Sequence, residues 1–450
     1  MFMEFKSESE IDKSLIEDGL NGLNQGKLII GQLVNPPKKV YWTLPASKSH
    51  FIRWLFLSAQ TPDETLIKIN HEIGEDILSC AKVLEKLGVK IIKSEYYWIV
   101  NGCKPGEFNK NPEILDCGNS ATTFRFLSFL IARNGINATI TGDESLQKRD
   151  FKLLFDILEE GGVVIHKNKK SVFPIKLQGI FSLNNMTILT HKTSQIISGL
   201  LITMPSSIEK STYLLPIEIV SRPYFELTNE ICIESGADLI FEDEMIIITP
   251  WKPIFKKDIE IPVEESLLLI PFLFSKLHGS QVIITNWIDN KDSLNSHFIL
   301  EYCCNLGLIH TNSDEGLLII KDGECKFFEI DIKDNIDLII PLSVMMSLSK
   351  GGIISGINNA KFKESDRIKS LIYLSNCFSL DVKRNIDLNV SESRISKPEI
   401  TLFSNDDHRL QMTAIMMLTY TGGEIDSKKW YAITDPLFLE KLKKVGVSIN

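Results

Sequence analysis

Two basic residues, Lys363 and Arg367, stand at the predicted start of a helix whose apolar face includes Ile368 and Leu371. A helix N-terminus carries unpaired N–H groups and partial positive charge, so it favours acidic side chains or bound anions. Two cations placed four residues apart in a first helical turn share one face and need an anion in front of them. One such pair is also typical of ordinary surface charge, so the interpretation depends on recurrence.

The arrangement recurs at five further junctions, where polar or basic residues lead into an apolar helix. These junctions are residues 44–49 with Arg53, 116–125, 192–195, 221–224 and 406–409. A single cation at a helix start carries little information. Six junctions of this kind predict helix N-termini that converge on anionic ligands.

Composition narrows the possible partners. The chain has 450 residues, enough for two or more domains, and its formal net charge of −9 argues against nucleic acid as a ligand. Any anion site must therefore be local, built from a few cations in an acidic protein. No apolar run approaches the roughly 20 residues of a membrane span, and the N-terminus lacks the apolar core of a signal peptide. We expect a cytoplasmic protein with no membrane or nucleic-acid partner.

From Leu28 onward, short apolar strands alternate with amphipathic helices, which predicts an α/β or α+β architecture of repeated strand–helix units. Many predicted helices are followed by two strands, unlike the helices of a Rossmann sheet. Neither a GxGxxG nor a P-loop motif is present, so no nucleotide site of those types is predicted. Residues 1–27 are expected to form a weak helix or a frayed arm, and residues 267–274 a buried helix or strand.

In their order along the chain, these junctions resemble the enolpyruvyl transferase family, and within it the branch whose acceptor is shikimate-3-phosphate. The resemblance covers residues 28–445. The motifs that carry it are 44–49 with Arg53, 118–122 with Arg125, 193–195, 221–224, 363–367 and 407–409.

The resemblance implies a two-domain, inside-out α/β prism in which each domain has three βαββαβ units and helix N-termini face the interdomain cleft. The chain would cross between the domains twice. Residues 47–262 would form the domain that mainly binds shikimate-3-phosphate, and residues 1–46 with 263–450 the domain that closes over the phosphoenolpyruvate (PEP) site. The family precedent implies a monomer.

The implied reaction transfers the enolpyruvyl group of PEP to the 5-hydroxyl of shikimate-3-phosphate and releases phosphate, a step towards chorismate and aromatic amino acids. It needs a base for the hydroxyl, an acid for the PEP methylene carbon, and groups that hold two phosphates and a carboxylate. The two small-molecule substrates are the expected partners, and neither a metal nor another cofactor is expected.

Site residues follow from the resemblance, position by position. Asp337 would be the general base, and Glu364 the proton donor to carbon, with Lys48 as the alternative donor. The expected shikimate-3-phosphate contacts are Lys48, Ser49, Arg53, Thr193, Ser194, Gln195, Ser221, Tyr224, Asp337, Asn359 and Lys363. The expected PEP contacts are Lys48, Asn119, Ala121, Arg149, Gln195, Arg367, His408 and Arg409.

Three of these residues also have ordinary structural interpretations. Asp337 could cap a helix, His408 could be a satisfied structural histidine, and Arg149 could belong to a solvated charge run. Arg125 is expected to serve packing or a carboxylate within the fold rather than a ligand.

The sequence departs from the family pattern at the PEP end of the site. Ala121 replaces a common glycine, and its methyl should crowd a bulkier PEP mimic such as glyphosate, so we expect tolerance to glyphosate. Ile433 replaces a lysine that usually helps to bind PEP, a loss of about 1.5–3 kcal/mol in binding free energy. Lys428 or Lys429 could take its place.

Two further departures affect loop shape. Ser145 and Asp150 stand where the loop around Arg149 usually has arginine and proline, and residues 263–266 are a shortened form of the usual crossover segment.

Two alternatives to an active enzyme of this branch stay open. One is a homologue that binds shikimate-3-phosphate but is inactive or impaired towards PEP, which Ile433 favours. The other is an enolpyruvyl transferase for a UDP-sugar. That enzyme usually has a reactive cysteine in the loop around residues 145–149, where this chain has none.

Overall fold

The computed structural model describes residues 26–167, 172–190, 192–215, 219–242, 244–255, 258–288 and 294–450. The predicted N-terminal arm, except for its last two residues, lies outside these ranges.

The strands are short and distributed along the whole described chain. They are β1 Lys27–Ile30, β2 Lys39–Trp42, β3 Glu64–Lys68, β4 Lys90–Lys93, β5 Tyr97–Asn101, β6 Leu115–Asp116, β7 Ala138–Thr141, β8 Val164–His166, β9 Ile175–Gln178, β10 Asn185–Thr187, β11 Ser211–Leu214, β12 Leu239–Glu242, β13 Met245–Ile248, β14 Ile259–Glu260, β15 Gln281–Ile284, β16 Ile309–Ser313, β17 Gly316–Ile320, β18 Phe328–Asp331, β19 Gly352–Ser355, β20 Val382–Arg384, β21 Leu388–Val390 and β22 Gly423–Asp426.

The α-helices alternate with these strands. They are α1 Lys48–Ser58, α2 Glu75–Lys86, α3 Ala121–Arg133, α4 Glu144–Gln147, α5 Lys152–Glu160, α6 Gln195–Ile202, α7 Arg222–Glu234, α8 Leu269–His278, α9 Ser296–Cys303, α10 Ile339–Ser347, α11 Arg367–Cys377, α12 His408–Thr421 and α13 Phe438–Lys444. Among the described helices, none is long and apolar enough to cross a membrane.

Five four-stranded sheets in the described chain share one pairing pattern, a parallel pair at one edge followed by two antiparallel pairs. Their strand orders are β14–β3–β5–β4, β6–β7–β9–β8, β10–β11–β13–β12, β2–β15–β17–β16 and β18–β19–β21–β20. A shorter sixth set repeats the pattern, because β22 pairs with β1 and single bridges add Leu402 and Ile449 at its edges. These repeated units confirm the predicted α/β fold class.

The buried apolar side chains form two separate clusters. One contains residues between Ala46 and Ile261, and the other contains residues 30–44 together with residues between Val263 and Val447. Two extended segments run side by side where the chain passes between them. Ala46 forms an antiparallel bridge with Val263, and the backbone N–H of Glu264 donates to the carbonyl of Pro45 at 2.7 Å.

Two predicted helix starts need correction. The helix after Lys363 begins at Arg367, because Asp366 is its N-cap and accepts a hydrogen bond from the backbone N–H of Lys369 at 3.3 Å. Lys363 therefore lies before the helix and not in its first turn. The helix predicted from Thr193 begins at Gln195. The segment predicted as a buried helix or strand at 267–274 is a 3-10 turn followed by helix α8.

Candidate active site

One cavity is lined by residues from both parts of the chain, the part that contains the first apolar cluster and the part that contains the second. The predicted site residues that line it are Lys48, Ser49, Arg53, Ala121, Arg149, Thr193, Ser194, Gln195, Ser221, Tyr224, Asp337, Asn359, Lys363, Glu364, His408 and Arg409. Asn119 and Arg367 lie behind this lining, where each contacts a residue of it.

The six predicted junctions coincide with helix N-termini. The first residues of these helices are Lys48, Ala121, Gln195, Arg222, Arg367 and His408. Residues in or just before the first turn of each helix line the cavity, so the positive ends of several helix dipoles lie beside it. The predicted convergence of helix N-termini is confirmed.

A polar cluster around Gln195 forms one wall. Its side-chain amide donates to the hydroxyl of Thr122 at 3.0 Å and accepts a hydrogen bond from Arg125. The hydroxyl of Ser194 donates to the carbonyl of Ser221 at 3.4 Å. Ser221 has a left-handed backbone with φ of 55°, which a serine adopts only at an energetic cost. Such strain is common where a loop is held for function.

Arg53 holds the backbone of two predicted ligand contacts. It is buried, and its guanidinium donates to the carbonyls of Ser49 at 2.8 Å and Tyr224 at 2.9 Å. Its Nε donates to the hydroxyl of Thr228 at 2.8 Å. Burial lowers the pKa of Arg53 to about 10. In this arrangement Arg53 positions its neighbours.

Arg125 lines the cavity, which sequence reasoning missed. Its guanidinium lies 4.8 Å from the centre of the Phe151 ring and donates to Gln195, and no ion-pair partner for it lies within the described chain. Burial and the neighbouring charge of Arg149 lower the pKa of Arg125 to about 9. Of the two expected roles, packing is observed, against Phe151, and a carboxylate partner is not found among the described residues. Its position one helical turn after Ala121, on the same face, could have indicated the site.

Arg149 is held by an amide instead of an acid. It donates to the side-chain oxygen of Asn119 at 2.6 Å, and Asn119 donates in turn to Asp143 at 2.9 Å. Its Nε is buried and has no partner among the described residues. The neighbouring Asp150 pairs with Lys192 at 2.7 Å. The alternative that Arg149 is part of a solvated charge run is therefore wrong.

Lys48 forms an ion pair with Asp76, a residue that sequence reasoning also missed. Their charged atoms lie 3.0 Å apart, and Asp76, in the first turn of α2, is 2% exposed. Burial alone would lower the pKa of Lys48, but the carboxylates of Asp76 and Glu364 outweigh it and raise the pKa. Lys48 therefore carries its proton.

The guanidinium of Arg367 is fully buried and contacts three carboxylates. Its Nε lies 2.9 Å from Asp407, and its two terminal nitrogens contact Asp337 and Glu364. Lys363 lies 3.1 Å from the same oxygen of Asp337. The anion predicted in front of the two cations is thus supplied within the chain by its own carboxylates.

These contacts set the ionisation of the proposed acid and base. Burial by itself would raise the pKa of Asp337, but Lys363 and Arg367 hold it well below the usual range. Arg367 and Arg149 do the same for the pKa of Glu364 against the effect of burial. Both carboxylates are therefore ionised in this arrangement.

The interpretation of Asp337 as a helix cap is wrong. Asp337 lies within a 3-10 turn, Ile336–Leu338, and the following helix has Leu338 at its N-cap position with no side-chain cap. The carboxylate of Asp337 contacts Lys363 and Arg367 instead.

His408 and Arg409 begin helix α12, which Asp407 caps. The backbone N–H of Arg409 donates to Asp407 at 2.9 Å. The guanidinium of Arg409 donates to the carbonyl and hydroxyl of Ser266, at 3.0 and 2.7 Å. His408 is 1% exposed, and neither ring nitrogen has a partner among the described residues. Burial holds the pKa of His408 well below its usual value, so its ring is neutral. Because both ring nitrogens lack partners among the described residues, His408 is not a satisfied structural histidine.

The departure at Ile433 has a clear structural setting. Ile433 is 3% exposed and ends a 3-10 turn, and the residue that reaches the cavity lining is Thr434. Lys428 lies 3.4 Å from Asp406 and over the ring of Trp430, outside the lining. Lys429 does not line the cavity either, so neither lysine replaces the missing one here.

Comparison with solved structures identifies the class of fold. The EPSP synthase of Acinetobacter baumannii superposes with a TM-score of 0.74 at 19% identity, covering 94% of this chain and 100% of that one. NikO, an enolpyruvyl transferase of Streptomyces tendae, superposes with a TM-score of 0.68 at 13% identity, covering 94% and 98%. The fold is that of the enolpyruvyl transferases.

Sequence comparison narrows this class. The chain is 24% identical over 411 residues to the 3-phosphoshikimate 1-carboxyvinyltransferase of Methanocorpusculum labreanum, and 28% over 419 residues to that of Methanosphaera stadtmanae. These matches cover 90% and 89% of this chain and 96% of each relative. A family model, EPSP synthase (3-phosphoshikimate 1-carboxyvinyltransferase), matches residues 38–442. The chain belongs to the EPSP synthase family.

Replacement of Arg367 by lysine should destabilise the protein strongly. A single ammonium cannot donate to Asp337, Glu364 and Asp407 together, so buried carboxylates would lose their partner at a cost of about 3–5 kcal/mol. The midpoint of thermal unfolding of Arg367→Lys should fall well below that of the wild type. Arg384→Lys, at an exposed position of β20, is the matched control and should leave the midpoint unchanged.

The pH dependence of stability provides a second measurement on the same variant. In the wild type, the pKa values of Asp337 and Glu364 lie below their unfolded values of about 4, so their contribution is present above that pH. It is lost as the pH falls through the folded values. Removal of Arg367 should raise both pKa values and move the loss of stability to higher pH. If the variant lost stability at the same low pH as the wild type, this account would be contradicted.

Proposed function

We propose that this protein transfers the enolpyruvyl group of PEP to the 5-hydroxyl of shikimate-3-phosphate, giving EPSP and phosphate. Membership of the EPSP synthase family supports this proposal. The observation that carries it is that Lys48, Asp337, Glu364 and Arg409 line one cavity, although they come from distant parts of the chain.

We propose that residues 47–262 form one domain and that residues 1–46 with 263–450 form the other. The division of the apolar core into two clusters supports this boundary. Contacts across the cavity support a closed arrangement. Lys148 lies 2.8 Å from Asp406, and the backbone N–H of Arg222 donates to Asp334 at 3.1 Å. Closure of this kind excludes water from the reacting groups.

Shikimate-3-phosphate would lie against the cluster around Gln195. The hydroxyls of Ser49, Thr193 and Ser194 and the amide of Gln195 offer donors to its phosphate, at the positive ends of α1 and α6. Tyr224 would contact the sugar ring. From the opposite side, Asp337, Asn359 and Lys363 would hold the ring hydroxyls.

PEP would lie between Lys48 and Arg149, which would hold its phosphate, with Asn119 fixing Arg149. Ala121 and His408 line the same end of the cavity. Arg409 and Arg367 would bind the carboxylate, a task suited to planar guanidinium groups.

Arg367 contacts Glu364 in this structure, so binding of the PEP carboxylate there requires an exchange of partners. We infer that PEP takes the place of Glu364. Glu364 then loses an opposing charge and gains an anionic neighbour, and both changes raise its pKa. The exchange would convert an ionised carboxylate into a proton donor when the substrate arrives.

The proton transfers follow from these assignments. Asp337 stays paired with Lys363, remains ionised, and accepts the proton of the 5-hydroxyl as its oxygen bonds to C2 of PEP. Glu364 gives a proton to C3 in that addition and recovers it from C3 when the bond between C2 and the phosphate oxygen breaks. The departing phosphate takes up the proton held by Asp337, so both carboxylates end ionised. Lys48 is the alternative donor because it carries its proton, although deprotonation would leave Asp76 without its counter-charge.

Two competing functions fit less well. A protein that only binds shikimate-3-phosphate would have no need of Glu364, the proposed proton donor to PEP. A UDP-sugar enolpyruvyl transferase is disfavoured because the curated relatives compared above act, by name, on 3-phosphoshikimate. We further propose that the protein acts as a cytoplasmic monomer. The family precedent supports the monomer, and eight free cysteines suit the reducing cytoplasm.

The function is tested by measuring phosphate release from PEP with and without shikimate-3-phosphate. Release that requires both substrates is expected. Release from PEP alone, or no release while shikimate-3-phosphate still binds in a calorimetric titration, would contradict the proposed transferase activity.

The methyl group of Ala121 should determine the response to glyphosate. Ala121 is the first residue of α3, lines the cavity and is 7% exposed, so its methyl occupies space at the PEP end. The wild type should tolerate glyphosate, and Ala121→Gly should lower the inhibitory concentration by about tenfold or more. Dose–response curves for phosphate release provide the measurement. Equal sensitivity of the two proteins would show that the methyl has no such role.

Position 433 should limit the affinity for PEP. Replacement of Ile433 by lysine would restore a charge-assisted contact worth about 1.5–3 kcal/mol, so KM for PEP should fall about tenfold or more. KM for shikimate-3-phosphate should stay nearly constant. Ile433→Met is the matched control, since it keeps an apolar side chain of similar volume. If both variants changed KM for PEP alike, packing would be the cause and not charge.

A further inference from the structure

Glu264 lies where the chain passes between the two apolar clusters. It is 7% exposed and lines the cavity. Its backbone is tied to the other crossing segment, because its N–H donates to Pro45 and the adjacent Val263 pairs with Ala46. The segment that leads into Lys48 and the segment that carries Glu264 are therefore fixed side by side.

The side chain of Glu264 extends this connection to Lys48 and, through Ser266, to Arg409, two of the expected PEP contacts. One carboxylate oxygen accepts the backbone N–H of Lys48 at 3.1 Å, and the other accepts the hydroxyl of Ser266. The carbonyl and the hydroxyl of Ser266 in turn accept hydrogen bonds from the two terminal nitrogens of Arg409. A continuous series of hydrogen bonds thus runs from the first residue of α1 to the first turn of α12.

Glu264 also supplies what the local sequence at α1 lacks. Ser47 is the N-cap of this helix, but its hydroxyl contacts the ring of His50 at 2.8 Å and makes no capping bond. Glu264 accepts a first-turn N–H in its place, from a position 216 residues later in the chain.

We propose that Glu264 is a positioning residue that fixes Arg409 relative to Lys48, so that the two groups hold PEP at a set spacing when the domains close. This proposal rests on the proposed function. Glu264 acts through Ser266 and through the start of α1. A carboxylate is required because both of its partners donate, and a glutamine offers only one acceptor oxygen for the two donors.

The test compares Glu264→Gln, Ser266→Ala and the double variant. Each single change should raise KM for PEP by about tenfold, because a buried donor loses its acceptor or Arg409 loses its anchor. KM for shikimate-3-phosphate should change by less than about threefold. The double variant should be no worse than either single variant, since all three break one series of bonds.

Glu260→Gln is the matched control, since Glu260 is an exposed acid in strand β14, four residues before Glu264, and forms a surface ion pair with Lys68. It should behave like the wild type. The thermal midpoint of each variant separates misfolding from a local effect. Additive effects of the two single changes, or equal increases in both KM values, would overturn the proposal.

The two proposals fail in distinguishable ways. A wild type without phosphate release contradicts the transferase function. A wild type with normal turnover whose Glu264→Gln variant keeps its KM for PEP contradicts only the role of Glu264. Calorimetric titration of each variant with PEP, in the presence of shikimate-3-phosphate, makes the same comparison by affinity.

Discussion

The buried guanidinium of Arg367 is the interaction on which the rest of the site depends. It joins carboxylates from three separate elements: Asp337 in the turn before α10, Glu364 in the loop before α11, and Asp407 at the start of α12. A buried charge without partners is strongly destabilising, so these segments must stay together for the fold to persist. One side chain thereby fixes the proposed base, the proposed acid and the helix that carries Arg409.

The arginines on the two sides of the cavity have different kinds of partner. In the described chain, Arg125 and Arg149 are held by the amides of Gln195 and Asn119, without an ion pair, so their positive charge remains available to a ligand. On the opposite side, Arg367 is matched by carboxylates. The first arrangement suits the binding of phosphate groups. The second suits proton transfer, because a substrate that displaces one carboxylate changes the pKa of that group.

Much of this architecture could be predicted, because helix starts and apolar periodicity are local signals. The apolar helix predicted to follow residues 406–409, for example, corresponds to α12. The strands β4, β12 and β16 give only a weak signal in the sequence, because they are edge strands whose side chains are largely exposed. Asp76 and Glu264 were missed as site residues for another reason. Their importance lies in contacts with Lys48 across 28 and 216 residues, which no local pattern encodes.

Although Ile433 stands where the family resemblance implies a lysine, the segment that carries it remains at the site, since Thr434 lines the cavity. A Cβ atom at Gly74 would overlap the backbone of Ile433 and Thr434, so these chain segments approach closely and only glycine fits. Gly74 is the N-cap of α2, whose first turn carries Asp76, the partner of Lys48. The backbone of residues 433–434 therefore packs against the start of the helix that carries the ion-pair partner of Lys48. The observed contribution of position 433 to this packing therefore comes from its main chain.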